Sequence, residues 1–333
     1  MKTAFVTGGA GFLGVNLVEQ LVAAGWEVIV FDTAGADAAQ MEKQGVSLVK
    51  GDITDLASCQ RALPAGVDAV FHLAGDTSHW KLGDAQQTRV NVEGTRNVVE
   101  AALRSKARRL VHTSSIAAYG FQTRRITEEM RSTALDSSIN YFRSKRLAEL
   151  EVQREIDRGL DAVILNPSNI LGAHDRSGWS RFFRLIDQGR LPGVPPGRAS
   201  FCHVREVAAA HIGAFERGRP GRHYLLGGAD ATFLELVQQI GRLLGRPTPS
   251  RATPAFLSKL AGRLSLWGSY LTRREPNLTP EKATLLSSEL LCSSEKAERE
   301  LGYRSVPLQT MLEDCHHWML AEGLLDRVPS SRG

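Results

Sequence analysis

Tyr141 and Lys145 stand one helical turn apart in Tyr141-Phe-Arg-Ser-Lys145. If the stretch Asn140–Arg158 is a helix, the pair shares one face. An ammonium beside a phenol favours the phenolate and draws its pKa down from about 10. Such a phenol gives a proton to a carbonyl oxygen during reduction, or takes one from an alcohol during oxidation. The Lys side chain can also hold a cofactor ribose. Y-x-x-x-K spacing is common on helices by chance, so the pair needs neighbours. One is Ser115, in His112-Thr-Ser-Ser-Ile-Ala-Ala-Tyr-Gly120. It follows the strand-like run Arg109–Thr113, and ligands of open α/β sheets bind at the carboxyl ends of strands. A hydroxyl there can hydrogen-bond a substrate oxygen and steady the phenol. The plain alternative for Ser114 and Ser115 is turn chemistry.

A second neighbour lies at the N-terminus. Thr7-Gly-Gly-Ala-Gly-Phe-Leu-Gly14 follows the apolar run Thr3–Thr7 and opens a helix-like stretch, Gly11–Ala24. Gly8, Gly11 and Gly14 suit a tight turn, close backbone approach to a pyrophosphate, and tight helix–strand packing. Phe12 and Leu13 would open the helix whose N–H groups face the anion. Asp32 ends the second run, at roughly the 20-residue offset expected of a carboxylate that grips an adenosine ribose. A carboxylate there accepts both ribose hydroxyls and repels a 2′-phosphate. No Arg stands in Thr33-Ala-Gly-Ala-Asp37 to receive one. NAD(H) is therefore expected rather than NADP(H).

The elements that must position these residues follow a βαβ rhythm. Glu27–Phe31, Val46–Lys50, Ala69–Leu73 and Ala162–Asn166 join Thr3–Thr7 and Arg109–Thr113 as short apolar runs, with room for crossover helices between them. The longest helix candidates are Asp84–Lys106 and Asn140–Arg158, rich in good helix formers. The expected fold is α/β, a Rossmann-type doubly wound parallel sheet. Beyond Asn166 the texture changes. Leu191-Pro-Gly-Val-Pro-Pro-Gly197 must be loop. The helix-like run Val204–Arg217 and the strand-like run His223–Leu226 can return to the main sheet. The patterns of Phe233–Leu244, Pro254–Leu271, Pro280–Leu286 and Leu308–Glu322 are helical. An NAD-binding domain of residues 1–166 plus about 204–228 is expected, interleaved with a smaller, mainly helical substrate lobe of 167–203 plus 229–333.

Composition excludes several classes. The chain has 333 residues, 42% hydrophobic and 23% charged, with 41 Lys and Arg against 36 Asp and Glu. Those values are ordinary for a globular protein. The basic clusters Arg104-Ser-Lys-Ala-Arg-Arg109 and Arg273-Arg274 are short and lack an aromatic platform, so no nucleic-acid partner is expected. Cysteines 59, 202, 292 and 315 are scattered, which suggests neither disulfides nor a metal site. With no signal-like start and no apolar run long enough to span a bilayer, a cytoplasmic enzyme without an integral membrane segment is expected.

Together these features resemble the extended branch of the short-chain dehydrogenase/reductase family, the epimerase/dehydratase superfamily, over nearly the whole chain. Thr7 to Gly14 is similar to its T-G-x-x-G-x-x-G loop. Gly51-Asp52-Ile53 resembles its adenine-contacting segment, His72-Leu73-Ala74-Gly75 its cofactor-side strand end, and Asn91-Val-Glu-Gly-Thr95 its N-V-x-G-T helix. The resemblance places the catalytic residues at Ser115, Tyr141 and Lys145. It also places Asn166-Pro167-Ser168-Asn169-Ile170 against the nicotinamide, so Pro167 and Ile170 join the expected cofactor contacts. The dehydratases' Asp-Glu pair after the catalytic hydroxyl is replaced by Ile116-Ala117, which argues against dehydration. The C-terminal half is more similar to bacterial relatives of dihydroflavonol reductases and 3β-hydroxysteroid dehydrogenases, through Gly178-Trp179, Gly189-Arg-Leu-Pro192, Phe201–Val207 and Gly218–Tyr224. A departure is Tyr119-Gly120, where dihydroflavonol reductases carry an Asn; sugar epimerases share this ending.

The resemblance thus implies a reductase or dehydrogenase acting on an apolar ketone or secondary alcohol. The alternative is a nucleotide-sugar epimerase using the same residues and a tightly held NAD. His79 and Trp80 follow the fourth strand and, with Asn169 and Trp179, are candidates for substrate contact. In Pro254–Leu271 the residues Phe256, Leu257, Leu260, Leu264, Trp267 and Leu271 recur at helical spacing. The stripe is expected to be core, with a roof over an apolar pocket or a membrane-surface contact as alternatives. His316-His317 has no ligand partners nearby in sequence. Helices 84–106 and 140–158 resemble those through which relatives form homodimers.

Overall fold

The computed structural model describes residues 1–325 except Ala34, Asp37, Arg273 and Asn277, and omits the side chains of Ala38, Ala39 and Leu271. Part of the segment expected to lack an Arg, the last residue of the apolar stripe, one Arg of the second basic cluster and residues 326–333 of the expected second lobe therefore lie outside the described residues.

In chain order the strands are β1 (Thr3–Thr7), β2 (Glu27–Asp32), β3 (Ser47–Lys50), β4 (Ala69–His72), β5 (Arg109–Thr113) and β6 (Ala162–Pro167). They continue with β7 (Asn169–Leu171), β8 (Arg198–His203), β9 (His223–Leu226), β10 (Ala229–Thr232) and β11 (Glu289–Leu290). The first helices are α1 (Phe12–Ala23), α2 (Ala38–Lys43), α3 (Leu56–Ala62), α4 (Asp84–Thr88), α5 (Gly94–Arg104) and α6 (Asn140–Ile156). After them come α7 (Arg181–Asp187), α8 (Val204–Arg217), α9 (Phe233–Leu244), α10 (Ala255–Thr272), α11 (Pro280–Leu285), α12 (Glu295–Leu301) and α13 (Leu308–Ala321).

The chain divides into two compact units. The first comprises Met1–Ser168, Arg205–Gly227 and Cys292–Arg304. Its seven strands, in the order β3-β2-β1-β4-β5-β6-β9, pair in parallel throughout. Strands β4 and β6 are buried at every position, as a parallel sheet covered on both faces requires. On one face Phe5, Phe31, Val70, Leu110 and Ile164 pack with Val98, Ala101 and Val152 of α5 and α6. On the other, Trp26, Phe71, Phe215 and His211 form an aromatic group. The strand order reverses between β1 and β4, so the sheet has a topological switch point at its centre.

Residues 292–304, expected in the second lobe, belong to this first unit. Ile126 bridges Cys292, the Tyr303 hydroxyl donates to the Gly227 carbonyl, and Lys296 donates to the His223 carbonyl at 2.8 Å. Burial of Ala297 and Leu301 holds α12 there. The expected helix 84–106 is continuous from Asp84 to Arg104 but passes through a π-turn at Arg89–Glu93.

The second unit comprises Asn169–Val204, Gly228–Leu291 and Ser305–Gly333. It is helix-rich, as expected, and also holds a four-stranded sheet centred on β8 that the sequence pattern does not announce. Strand β8 pairs with β7 and β11 in parallel and with β10 antiparallel. Phe182, Phe183, Phe201, Phe233, Leu236 and Met311 anchor its core. Helix α9 starts with a capping box between Thr232 and Glu235 and ends at Gly245 in the left-handed region, φ 62°.

The apolar stripe of α10 is not core. Phe256 is 68% exposed, Leu264 66% and Trp267 77%, while Ser258 and Ser269 are the buried side chains among the described residues of the helix. The reason is local. A Cβ at Gly262 would lie 2.9 Å from the Thr279 carbonyl oxygen, so α10 approaches the start of α11 through its small residues. Its large ones are left outside.

Candidate active site

The phosphate loop is built as its glycines require. Gly8 has φ 70°, and a Cβ there would meet the Ala74 backbone nitrogen at 2.7 Å. The loop therefore packs directly on the Leu73-Ala74 strand end, which no side chain at position 8 would allow. A Cβ at Gly14 would press on the Gly8 carbonyl and reach the Gly9 backbone at 2.6 Å. Gly11 caps α1 with no side-chain acceptor, so the first-turn N–H groups around Phe12 and Leu13 are offered outward by a 12-residue helix. Asp32 lies beside this loop: it accepts from Ala10 N–H at 3.0 Å and Thr33 N–H at 2.7 Å, one bond per carboxylate oxygen. Two glycines that exclude any side chain and an uncapped helix start make a cradle that fits a dinucleotide.

Asp52 is exposed and folds its carboxylate onto Thr54 N–H at 2.8 Å. Ile53 is buried against Gly94, where a Cβ would come within 2.7 Å of its side chain, and its carbonyl accepts from Asn97. The N-V-x-G-T glycine is thus a packing requirement for the adenine-side segment.

Helix α6 carries Tyr141 and Lys145 on one face, as their spacing implies. The Ser115 hydroxyl hydrogen-bonds the Tyr141 phenol and accepts from Ala117 N–H at 3.1 Å, capping the short turn Ile116–Tyr119. Lys145 is buried and donates to the Thr113 carbonyl at 3.1 Å, at the end of β5. Gly75 leaves room for it: a Cβ there would lie 3.4 Å from the Lys145 nitrogen. The expected lowering of the phenol by Lys145 is not what the protein environment produces. Burial is the largest influence and raises the Tyr141 pKa; the Ser115 hydrogen bond pulls it down, and the Asp76 charge raises it again. Burial draws the Lys145 ammonium down to about 8, opposed by the Glu149 charge.

Asn91 ties the two sides of the site together. From the π-turn its amide donates to Ser144 Oγ at 3.0 Å and to the Asp76 carbonyl at 2.9 Å, and it accepts from Asp76 N–H at 2.7 Å. Ser144 in turn donates to the Tyr141 carbonyl at 3.0 Å. A π-turn at a functional site is a recurrent device for re-aiming one side chain.

Beneath this lies a polar layer that was missed from sequence. Glu149, only 2% exposed, accepts from Ser114 and Asn166, both at 2.6 Å, and pairs with Arg146 at 2.9 Å. Asn166 also donates to the Ser115 carbonyl at 3.1 Å, and its oxygen lies 3.2 Å from His223 Nδ1. His72 bridges Thr7 at 2.7 Å and Thr95 at 3.0 Å. Its in-register neighbour His112 is buried with neither ring nitrogen partnered. Burial pushes both histidines down, His72 to about 3. One signal was available: Tyr141, Lys145 and Glu149 recur at four-residue steps along a single helix face.

Of the substrate candidates, the structure brings His79 to the site: its ring meets the Tyr141 ring edge-on at 5.1 Å. Trp80 is partly buried at the start of the adjoining short turn. Pro167 ends β6 in the first unit; Asn169 and Ile170 lie on β7 in the second, where Asn169 donates to the Ser200 carbonyl at 3.0 Å. Trp179 packs between Phe182 and Phe233, stacked at 5.9 and 5.4 Å, with Phe201 edge-on. That makes it part of the second unit's aromatic core.

Residues 4–227 match the model of the NAD dependent epimerase/dehydratase family. The chain belongs to that family. It is, as its motifs suggested, an extended short-chain dehydrogenase/reductase. It is 32% identical to sterol demethylase protein B of Methylococcus capsulatus, over 97% of this chain and all of the relative. It is also 32% identical to 2-alkyl-3-oxoalkanoate reductase of Stenotrophomonas maltophilia, over 90% of this chain and 93% of that one. Among solved structures, that of gox2253 superposes with a TM-score of 0.84 at 28% identity, covering 98% of this chain and all of the other. The family is enzymatic, uses NAD, and acts on small molecules.

Proposed function

We propose that the protein is an NAD(H)-dependent oxidoreductase that interconverts a ketone and a secondary alcohol on a largely apolar small molecule. The observation that carries this reading is the placing of Lys145, buried one turn from Tyr141, on the Thr113 carbonyl at the carboxyl end of β5, with Ser115 two residues on and acting on the Tyr141 phenol. When bound, the cofactor supplies or accepts a hydride at the nicotinamide ring. Tyr141 gives a proton to the substrate oxygen in reduction and takes it back in oxidation. Its raised pKa keeps the phenol protonated at neutral pH, which suits the donor role. Ser115 shares that oxygen, and Lys145 holds the ribose. The glycines of the loop and the uncapped start of α1 hold the pyrophosphate. Asp32 takes the adenosine ribose hydroxyls, so NADH is read as preferred over NADPH. His79, edge-on to Tyr141, borders the substrate.

An apolar substrate is favoured by two observations. The relatives at 32% identity are named for a sterol and for a 2-alkyl-3-oxoalkanoate. Where an elimination would need an acid–base pair after Ser115, the chain buries Ile116 and Ala117. The expected homodimer fits the outward placement of Leu147 and Leu150 on α6; sedimentation of a single 36.4 kDa species at all concentrations would remove it.

The test is NADH oxidation with alkyl β-keto acids and steroid ketones as substrates. Tyr141→Phe is expected to lower kcat by about 10²–10⁴-fold while NADH binding, followed by fluorescence, stays within about twofold. Epimerisation of a UDP-hexose without net NADH consumption would replace this reading with the epimerase one.

A further inference from the structure

Among the described residues, half of the large hydrophobic side chains that stand exposed belong to one helix, α10: Phe256, Leu257, Leu260, Leu264, Trp267 and Tyr270. At 3.6 residues per turn they fall on one continuous arc. Ser258, Gly262 and Ser269 occupy the opposite arc and are buried against the unit. The helix is thus inverted relative to an ordinary surface helix, which turns its apolar stripe inward. Single exposed Leu residues need no explanation, but a contiguous patch of this kind marks a contact surface.

The charges identify what that surface meets. From Leu236 to Arg274 the sequence contains no Asp or Glu. Lys259 flanks one edge of the apolar arc and Arg263 lies just inside that edge, between Tyr270 and Phe256, while Arg251 and Arg274 stand exposed near the two ends of the helix. Long basic side chains beside an apolar face keep their heads in a charged interface while their stems lie along it. Trp and Tyr prefer that depth as well. A second copy of the same face would bring like cations together, and the nearest acid in sequence, Glu275, is already paired with Lys282. No described helix is long and apolar enough to cross a membrane, so this one would lie on the surface.

We propose that α10 is an interfacial helix that seats the second unit on an anionic lipid bilayer, with Phe256, Leu260, Leu264 and Trp267 in the acyl boundary and Lys259 and Arg263 on the headgroups. The proposal stands apart from the reaction proposed above, since it needs neither cofactor nor substrate.

The experiment is flotation of the purified full chain with vesicles of phosphatidylcholine alone or with about a third phosphatidylglycerol. The wild type is expected to float with the anionic vesicles at least about tenfold more than with the neutral ones, and to lose that preference in high salt. The triple variant Leu260→Gln/Leu264→Gln/Trp267→Gln is expected to stay in solution, with unchanged circular dichroism and NADH binding. Lys259→Glu/Arg263→Glu should erase the anionic preference. Absence of flotation by the wild type overturns the proposal, as does equal flotation by the triple variant. A concentration-dependent dimer that the triple variant alone abolishes would assign the face to a second copy instead.

Discussion

Two helices of this protein carry apolar and polar residues in opposite senses. Helix α6 turns Lys145 and Glu149 inward, onto a buried polar layer of Ser114, Asn166 and Thr113, and leaves Leu147 and Leu150 outside. Helix α10 buries Ser258 and Ser269 and presents Phe256, Leu264 and Trp267 to solvent. Helix α6 follows the rule that the apolar stripe faces the core only in part, burying Phe142, Ala148 and Val152 beside its polar groups, and α10 inverts it. In α6 the departure is compensated group by group: the inward Lys145 and Glu149 each have partners, the ammonium at the carboxyl end of β5. In α10 nothing among the described residues compensates it, which points to compensation from outside. Local rules broken with internal compensation mark a reaction site; rules broken without it mark a surface for something else.

The largest test of this contrast uses glycine. Gly14 has backbone against its missing side chain, whereas a Cβ at Gly268 in α10 would meet nothing within 4 Å. Gly14→Ala is expected to weaken NADH binding by about a hundredfold or more, since the loop must open to admit the methyl. Gly268→Ala should leave binding unchanged and stabilise the fold by about 0.5–1 kcal/mol through helix propensity. Calorimetric titration and thermal melts decide both. Equal, small effects at the two positions would mean that the phosphate cradle is not as tight as its geometry states.

The next test concerns Glu149, which touches no reacting atom and acts through its neighbours. Glu149→Gln keeps the volume but removes the charge that holds Lys145 up and pairs Arg146. A loss of about 2–3 kcal/mol in stability is expected. The informative readout is the pH profile. Glu149 raises the Lys145 pKa toward about 8, so its removal lowers it, and the Lys-dependent limb of kcat/KM should move to lower pH. A variant that is destabilised but keeps an unshifted profile would reduce Glu149 to a packing residue.

How much of this was legible in the sequence differs between the units for a physical reason. The phosphate loop, Asp32, Ser115 and the Tyr141–Lys145 pair are short-range patterns, each written within a strand end, a turn or one helix face. The parallel sheet is legible because β4 and β6 are nearly continuous apolar runs. The polar layer as a whole was not legible: Glu149, Asn166 and His223 meet only after two separate crossovers bring β5, β6 and β9 together. The second unit's sheet was missed because β7, β10 and β11 are only two to four residues long and the six-residue β8, Arg-Ala-Ser-Phe-Cys-His, mixes polar and apolar residues. For α10 the periodicity was right and the direction wrong. A stripe fixes which residues share a face but not whether Gly262 or Leu264 is turned toward the protein.

His112 sharpens the comparison within the first unit itself, since it is the one member of the polar layer whose ring nitrogens are both unpartnered and buried. Burial pushes its pKa well below the ordinary value, so in the fold it is neutral. His112→Leu removes two unsatisfied atoms at similar volume and should raise stability at neutral pH by about 1–2 kcal/mol. The sign of its pH effect follows from the same burial. For a base depressed in the fold, as His72 is to about 3, the unfolded chain takes up the proton first as pH falls below about 6.5, so stability drops at about 1.4 kcal/mol per pH unit for each such histidine. The variant lacks one of these protons, and its acid limb between about pH 6 and 4 should be shallower by that amount. Denaturant melts across that range measure it; an unchanged slope would mean that His112 is already charged in the fold.

The smallest expected effect falls on α10, and its smallness is the point. Leu264→Gln changes a side chain that is 66% exposed, whereas Leu236 in the second unit's core is fully buried. Leu236→Ala should cost about 2–5 kcal/mol; Leu264→Gln should stay within about 0.5 kcal/mol of the parent, measured by urea melts of the purified chain without lipid. If the two losses were comparable, Leu264 would be stabilising this protein from within, and the inversion of α10 would need no outside partner. If Leu264→Gln is neutral in water but lowers the thermal midpoint in the presence of anionic vesicles, relative to the parent, then the free energy of that side chain is realised only against the bilayer. Binding to the folded state alone stabilises it by mass action, and a side chain that contributes only to such binding shows its effect only when the binder is there.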